Sequence, residues 1–196
     1  MNLDTFNVTN LDMSNVIGGA YMFKGATINT AIDLSGWDVS KLTDVREMFS
    51  YTTLTNANLS SWNLESATSL YLMFADAIFT NVNISNWNTS NVTDMSWLFA
   101  EFKNNAKLTN VNVSNWDTSR VTNMSSMFLT ATINSITGLN TWNTSSVTDM
   151  SWMFGSATLN VDLNLSGWNV NITEPANFST NISGTGTLTP PTWKTA

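Results

Sequence analysis

Leu108-Thr-Asn-Val111-Asn-Val113-Ser-Asn-Trp116 carries apolar residues at its positions 1, 4, 6 and 9 and polar residues everywhere else. The spacing returns at Leu3/Phe6/Val8/Leu11, Leu54/Ala57/Leu59/Trp62 and Phe79/Val82/Ile84/Trp87. In the units ending at Trp37, Trp142 and Trp168 the first apolar residue stands one place earlier, as a one-residue insertion in a turn would produce. The alternating part has period two, which predicts a short strand with one buried face.

Outward from this stretch the chain repeats itself. Trp37, Trp62, Trp87, Trp116, Trp142 and Trp168 are separated by 25, 25, 29, 26 and 26 residues. Each of the first five is followed twelve residues later by a phenylalanine: Phe49, Phe74, Phe99, Phe128 and Phe154. A divergent earlier copy sets Leu11 and Phe23 in the same two places. Self-similarity at such a period marks a solenoid, in which no unit buries its apolar face alone. The second half of each unit, as in Val92-Thr-Asp-Met-Ser-Trp-Leu-Phe99, sets Met95, Leu98 and Phe99 at i, i+3 and i+4. That pattern predicts one helical turn, capped by Thr93 or Asp94. The expected fold is an α/β solenoid, leucine-rich-repeat-like, with about seven strand-plus-short-helix coils over residues 1–177. Residues 178–196, with Ser183-Gly-Thr-Gly-Thr-Leu-Thr-Pro-Pro-Thr-Trp193, are expected to form a C-terminal cap or extended tail.

Composition narrows the chemistry. Asn (28), Thr (29) and Ser (23) make up 80 of 196 residues, so neutral polar groups stand where an ordinary surface carries charge. There is no His and no Cys, which removes imidazole and thiolate metal sites, Ser-His triads and thiol nucleophiles. Seven basic residues against fourteen acidic ones give a net charge of -7, and the basic ones are scattered, so no nucleic-acid partner is expected. Met1-Asn2-Leu3-Asp4 has neither a basic nor an apolar leader segment, so no signal peptide is expected. No apolar run approaches the eighteen or so residues of a membrane span, so membrane insertion is not expected either.

Leu34-Ser-Gly-Trp-Asp-Val-Ser-Lys-Leu-Thr-Asp44, Trp87-Asn-Thr-Ser-Asn-Val-Thr-Asp-Met-Ser96 and Trp142-Asn-Thr-Ser-Ser-Val-Thr-Asp-Met-Ser-Trp-Met-Phe154 carry a family resemblance. They are similar to the repeat of BspA-like leucine-rich-repeat surface proteins, and the likeness runs over about nine-tenths of the chain. Such repeats occur in bacterial surface lipoproteins and adhesins and in reading frames of marine bacteria and their phages. The resemblance implies a recognition or structural array, not a catalyst, at an extracellular or cell-surface location or in a virion.

Candidate functional residues follow from the register. The Trp ladder and the Met and Phe columns point inward and serve the core. Thr43, Thr68, Thr93, Thr122 and Thr148 stand just before the apolar turn, where a hydroxyl caps a backbone N–H. Asn58, Ser60, Asn83, Ser85, Asn112 and Ser114 alternate with buried strand residues and so face out of the sheet. Rows of amides and hydroxyls there suit a glycan or protein partner, and side chains aimed away from the core should be replaceable by Ala at little cost in stability. Tyr21, Leu72, Trp97 and Trp152 share one outward helical position, a candidate contact with other subunits of an assembly. Trp193 either covers the open last coil or docks on a neighbour, and Glu101–Lys107 is an inserted loop on one edge. Recurrent Asp residues do not cluster, no carboxylate pair proposes acid/base work, and no cofactor, metal or enzymatic activity is expected.

Overall fold

The computed structural model describes residue 8 and residues 11–28, 32–101 and 107–195. Over these residues the chain winds into a β-solenoid of about six turns with almost no helix. Strands β1 (Thr27–Ile28), β2 (Thr53–Thr55), β3 (Ile78–Thr80), β4 (Lys107–Thr109), β6 (Thr132–Ile133) and β8 (Thr158–Leu159) form one parallel sheet in that order, one strand per coil. Short strands β5 (Val111–Asn112), β7 (Ile136–Thr137), β9 (Leu163–Asn164) and β10 (Leu188–Thr189) belong to a second ladder on the next side of the coil. Isolated parallel bridges continue that ladder at Asp33, Asn58 and Asn83. Further ladders run through Asn63–Asn88 and through Ser69–Asp94–Asn123–Asp149. The single expected strand is therefore split in two. The break falls at Asn56, Asn81 and Asn110, whose φ values of 53°, 57° and 57° place them in the left-handed region that asparagine tolerates.

The expected helical turns are absent, and this corrects the α/β reading. Among the described residues the only helix is the three-residue 3-10 turn Leu139–Thr141. In the stretches read as helical, alternate backbone N–H groups go to different places. Phe23, Phe49, Phe74, Phe99 and Phe128 donate to Met48, Met73, Leu98, Met127 and Met153 of the next coil at 2.8–3.0 Å. The residues between them donate three positions back within their own coil, as Ala26 does to Phe23 at 2.9 Å. Two left-handed residues per coil, such as Leu72 (φ 55°) and Asp76 (φ 56°), bend the ribbon. An eight-residue helix gains little on its own, whereas hydrogen bonds to a neighbouring coil come with its packing. Thr43, Thr93, Thr122 and Thr148 cap no helix. Each hydroxyl donates to a carbonyl of the preceding coil, at 3.1–3.2 Å.

The aromatic columns occupy the core as the register predicts. Successive Trp rings lie 5.6–6.3 Å apart and within 10° of parallel. Each buried indole N–H donates to a backbone carbonyl of the preceding coil: Trp62 to Leu34 (2.9 Å), Trp87 to Leu59 (2.7 Å), Trp116 to Ile84 (2.8 Å). That bond explains tryptophan where another aromatic would fill the same space. The Phe column stacks beside it at 5.1–5.7 Å from Phe23 to Phe154.

The stretch read as a cap or tail runs in register as a last rung. Ser183 bridges Thr158, β10 pairs with β9, and Thr192 bridges Asn169. Trp193 packs edge-on to Phe178 at 4.8 Å, on the last coil. Leu3 and Phe6 of the first expected unit, and positions 102–106 of the expected loop, lie outside the described residues.

Candidate functional site

Corners are the repeated polar device of this coil. At fifteen positions among the described residues an Asn or Asp side-chain oxygen accepts the backbone N–H two residues on, at 2.8–3.2 Å. Most of the acceptors are followed by x-Ser, so the sequence signature of a glycosylation acceptor doubles here as an Asx turn. Asn58, Asn83 and Asn112 belong to this set: their Oδ1 atoms hold the N–H groups of Ser60, Ser85 and Ser114. Ser85 and Ser114 also donate their hydroxyls to the same oxygens. These six side chains share the corner of their coils, and more than half of their polar atoms are committed to the fold. What remains for a partner is the Nδ2 group: at Asn83 and Asn112, both exposed, it has no partner among the described residues.

The corner ladder beneath this face is interrupted. Between the first three coils it carries two bonds per junction: Asn58 N–H to Ile32 (2.9 Å) with Leu34 N–H to Asn58 (2.9 Å), then Asn83 N–H to Ala57 (3.0 Å) with Leu59 N–H to Asn83 (3.1 Å). Between Asn83 and Asn112 there is no pairing, and a shallow groove opens, lined by Asn81, Val82, Asn83, Ser85, Asn110 and Asn112. Pairing resumes between β5 and β7, lapses again between β7 and β9, and returns between β9 and β10. The second lapse opens a groove of about 500 Å³ beside Gly138, Asn140, Asp162, Asn164 and Ser166.

A ladder of amides flanks the face that sequence reasoning did not single out. Asn81 Nδ2 donates to Asn56 Oδ1 (3.0 Å), Asn110 Nδ2 to Asn81 Oδ1 (2.6 Å), and Ser135 Oγ to Asn110 Oδ1 (3.1 Å). The signal was present as an Asn two places after the strand's buried residue in three units.

Four of the candidate assembly residues fall on one column. Tyr21, Leu72, Trp97 and Trp152 all occupy the first left-handed position of the turn ribbon, with φ of 63°, 55°, 59° and 58°. Tyr21 is 51% and Trp152 42% exposed, while Leu72 and Trp97 are half-buried. Glu47 and Ser126 hold the same turn position between them, so the row is not a continuous apolar stripe. Trp193 stands elsewhere, on the last coil. Lys24 links the N-terminal end of the row, ion-paired with Glu47 and 5.2 and 5.5 Å from the ring centres of Tyr21 and Tyr51.

At Asp12, Asp33, Asp38 and Asp117 the corner couples to pH. The hydroxyls and N–H groups of Ser14, Ser35, Ser40 and Ser119 hold the carboxyls of Asp12, Asp33, Asp38 and Asp117 below the ordinary carboxylate range. A carboxyl whose folded pKa is depressed stabilises the fold above its unfolded pKa, about 3.9, and loses that contribution as pH falls through the folded value. The melting temperature should therefore decline as pH drops below about 4. Replacing Asp12, Asp33, Asp38 and Asp117 together by Asn keeps each corner acceptor and should flatten that acid limb in melting curves taken across pH. An unchanged limb would show that these corners do not form.

Among the described residues no three acidic side chains converge to hold a metal, and no helix is long and apolar enough to cross a membrane. No curated protein and no solved structure matches the chain. Residues 13–114 and 100–183 match the family described as Mycoplasma protein of unknown function, DUF285. The overlapping matches run from Met13 to Ser183, where the last rung begins, and the chain belongs to the DUF285 family.

Proposed function

We propose that the protein is a non-enzymatic recognition module of the BspA-like, leucine-rich-repeat-related kind, acting at the cell surface or outside the cell. It holds a neutral glycan on the corner face around Asn83 and Asn112. The observation that supports this reading is the pair of exposed Asn83 and Asn112 amides, fixed by Asx turns on the stack and set over an open groove. Preorganised donors lose little freedom on binding, and a face of neutral groups does not repel an uncharged polyol.

The corner geometry changes the informative mutation. Asn83→Ala or Asn112→Ala removes the turn acceptor as well as the amide and should cost about 0.5–1.5 kcal/mol each. Asn83→Asp and Asn112→Asp, each made singly, keep Oδ1 for the turn, as Asp33 does for Ser35 at 3.0 Å. They exchange the free donor for an acceptor. On an array of neutral glycans each should lower binding at least about tenfold, roughly 1.4 kcal/mol, with little change in melting temperature. Binding that survives both changes would reduce the row to a structural ladder.

A second reading has its own support in the exposed Tyr21 and Trp152, bulky groups held in strained left-handed turns. In it the protein is a component of a larger assembly, such as a phage virion, and buries this row against another subunit. Cross-linking in the native source that finds only monomer, with Trp152 open to solvent, would reject it.

A further inference from the structure

The two lapses in the corner ladder are the same event. At a closed junction the corner residue gives its N–H to, and takes a bond at its C=O from, the preceding coil, as Asn83 does with Ala57 and Leu59. At the first open junction both bonds are missing. Among the described residues Val82 C=O, Ile84 N–H, and the N–H and C=O of Asn112 have no partner. At the second, the same four places are held by Ile136 C=O, Leu139 N–H, and the N–H and C=O of Asn164, again without partners. Each opening thus presents two donors and two acceptors of the main chain, rimmed by Asx-corner amides.

Neither opening admits a peptide strand, because the coils stay joined on both flanks. At the first, β3 pairs with β4 and Trp87 stacks on Trp116 at 5.6 Å. At the second, β6 pairs with β8 and the Trp168 indole donates to Leu139 C=O at 2.7 Å. What fits is a group that both donates and accepts within a small space, which describes a hydroxyl. Unpaired main-chain groups of both signs match vicinal hydroxyls on a sugar ring, and the net charge of -7 together with Asp162 at the second rim opposes an anionic chain.

The openings lie two coils apart, which by the strand spacing is about 10 Å along the axis. The repeat of an extended β-1,4-linked disaccharide is of that same order. We propose that the two openings are paired subsites for a linear, neutral, β-1,4-linked oligosaccharide lying along the solenoid axis, with alternate sugars reading alternate coil junctions. The inference rests on the glycan-binding reading and adds the ligand's shape and the second site.

Gly138 provides the test. It is the extra residue of its corner: six positions separate Ile136 from Trp142, where five separate Ala57 from Trp62. Its φ of 98° carries the chain around the insertion. Deleting Gly138 restores the regular spacing and should let Leu139 and Asn164 pair, closing the second opening with the melting temperature held or raised. Titration of the full chain with cellobiose, cellohexaose and chitohexaose, followed by amide NMR, then reads both sites. A hexasaccharide should move the Ile84 and Asn112 amides together with those of Leu139 and Asn164, and bind at least about tenfold tighter than cellobiose. The Gly138 deletion should abolish that length-dependent gain and leave the shifts at Asn112. Asn164→Asp, which keeps the corner acceptor for Ser166, serves the same purpose if the deletion fails to fold. Equal affinities for short and long chains, or shifts confined to Asn112, would overturn the paired-subsite inference while leaving glycan binding at Asn83 and Asn112 standing. No saturable shift with any of the three sugars would overturn the inference as well, and the glycan array on the Asn83 and Asn112 variants then decides the broader reading alone.

Discussion

Trp116→Ala is expected to destabilise the protein by about 3–5 kcal/mol, the usual range for emptying a buried aromatic site. The ring is buried between Trp87 at 5.6 Å and Trp142 at 6.1 Å, so its removal leaves a void shared by two junctions. It also strips the Ile84 carbonyl of its indole donor. At about 2–4 °C per kcal/mol for a domain of this size the melting temperature should fall by roughly 6–20 °C. Trp116→Phe keeps most of the stack and loses the hydrogen bond, for a smaller cost of about 1 kcal/mol. Thermal denaturation of both variants separates packing from bonding, and an unchanged Trp116→Ala would place the ring on the surface.

Gly184→Ala should be nearly as damaging, at the opposite level of the fold. Gly184 has φ 102°, and a Cβ there would run into the Leu159 backbone against which the last rung lies. Both the left-handed strain, about 1–2 kcal/mol, and the overlap are relieved only by lifting the rung. In a stack whose stability is a sum of neighbour terms, the loss should appear locally first. Hydrogen exchange should speed up at Ser183 and Leu163, whose N–H groups now donate across this junction at 2.9 and 2.8 Å. Limited proteolysis should cut within residues 178–195 before the rest. A variant as protected as the parent would mean that the last rung does not stack in this register.

Much of the fold was legible because a solenoid writes its period into the sequence. The Trp and Phe registers placed both core columns, and the one-residue offset at Trp142 marked the coil that carries Gly138. The helix was misread for a physical reason. Met95, Leu98 and Phe99 lie on one side of a helical turn, but a ribbon of left-handed turns also brings them to the core, and residue pattern alone does not distinguish the two. What decides is where alternate N–H groups bond, and their partners sit a full coil away. The candidate face shows the same division. Asn58, Asn83 and Asn112 were found as outward-facing, yet their use as corner acceptors was hidden, because Asn-x-Ser reads equally as surface polarity. The open junctions were not legible, since they consist of main-chain groups that fail to pair.

Hydrogen exchange of the indole Nε1–H groups measures the coil register most directly. Slow exchange is expected at Trp37, Trp62, Trp87, Trp116, Trp142 and Trp168, each buried and bonded to a carbonyl of the coil before it, and fast exchange at the exposed Trp152. Fast exchange throughout the column, or protection at Trp152 equal to that of the six, would contradict that register.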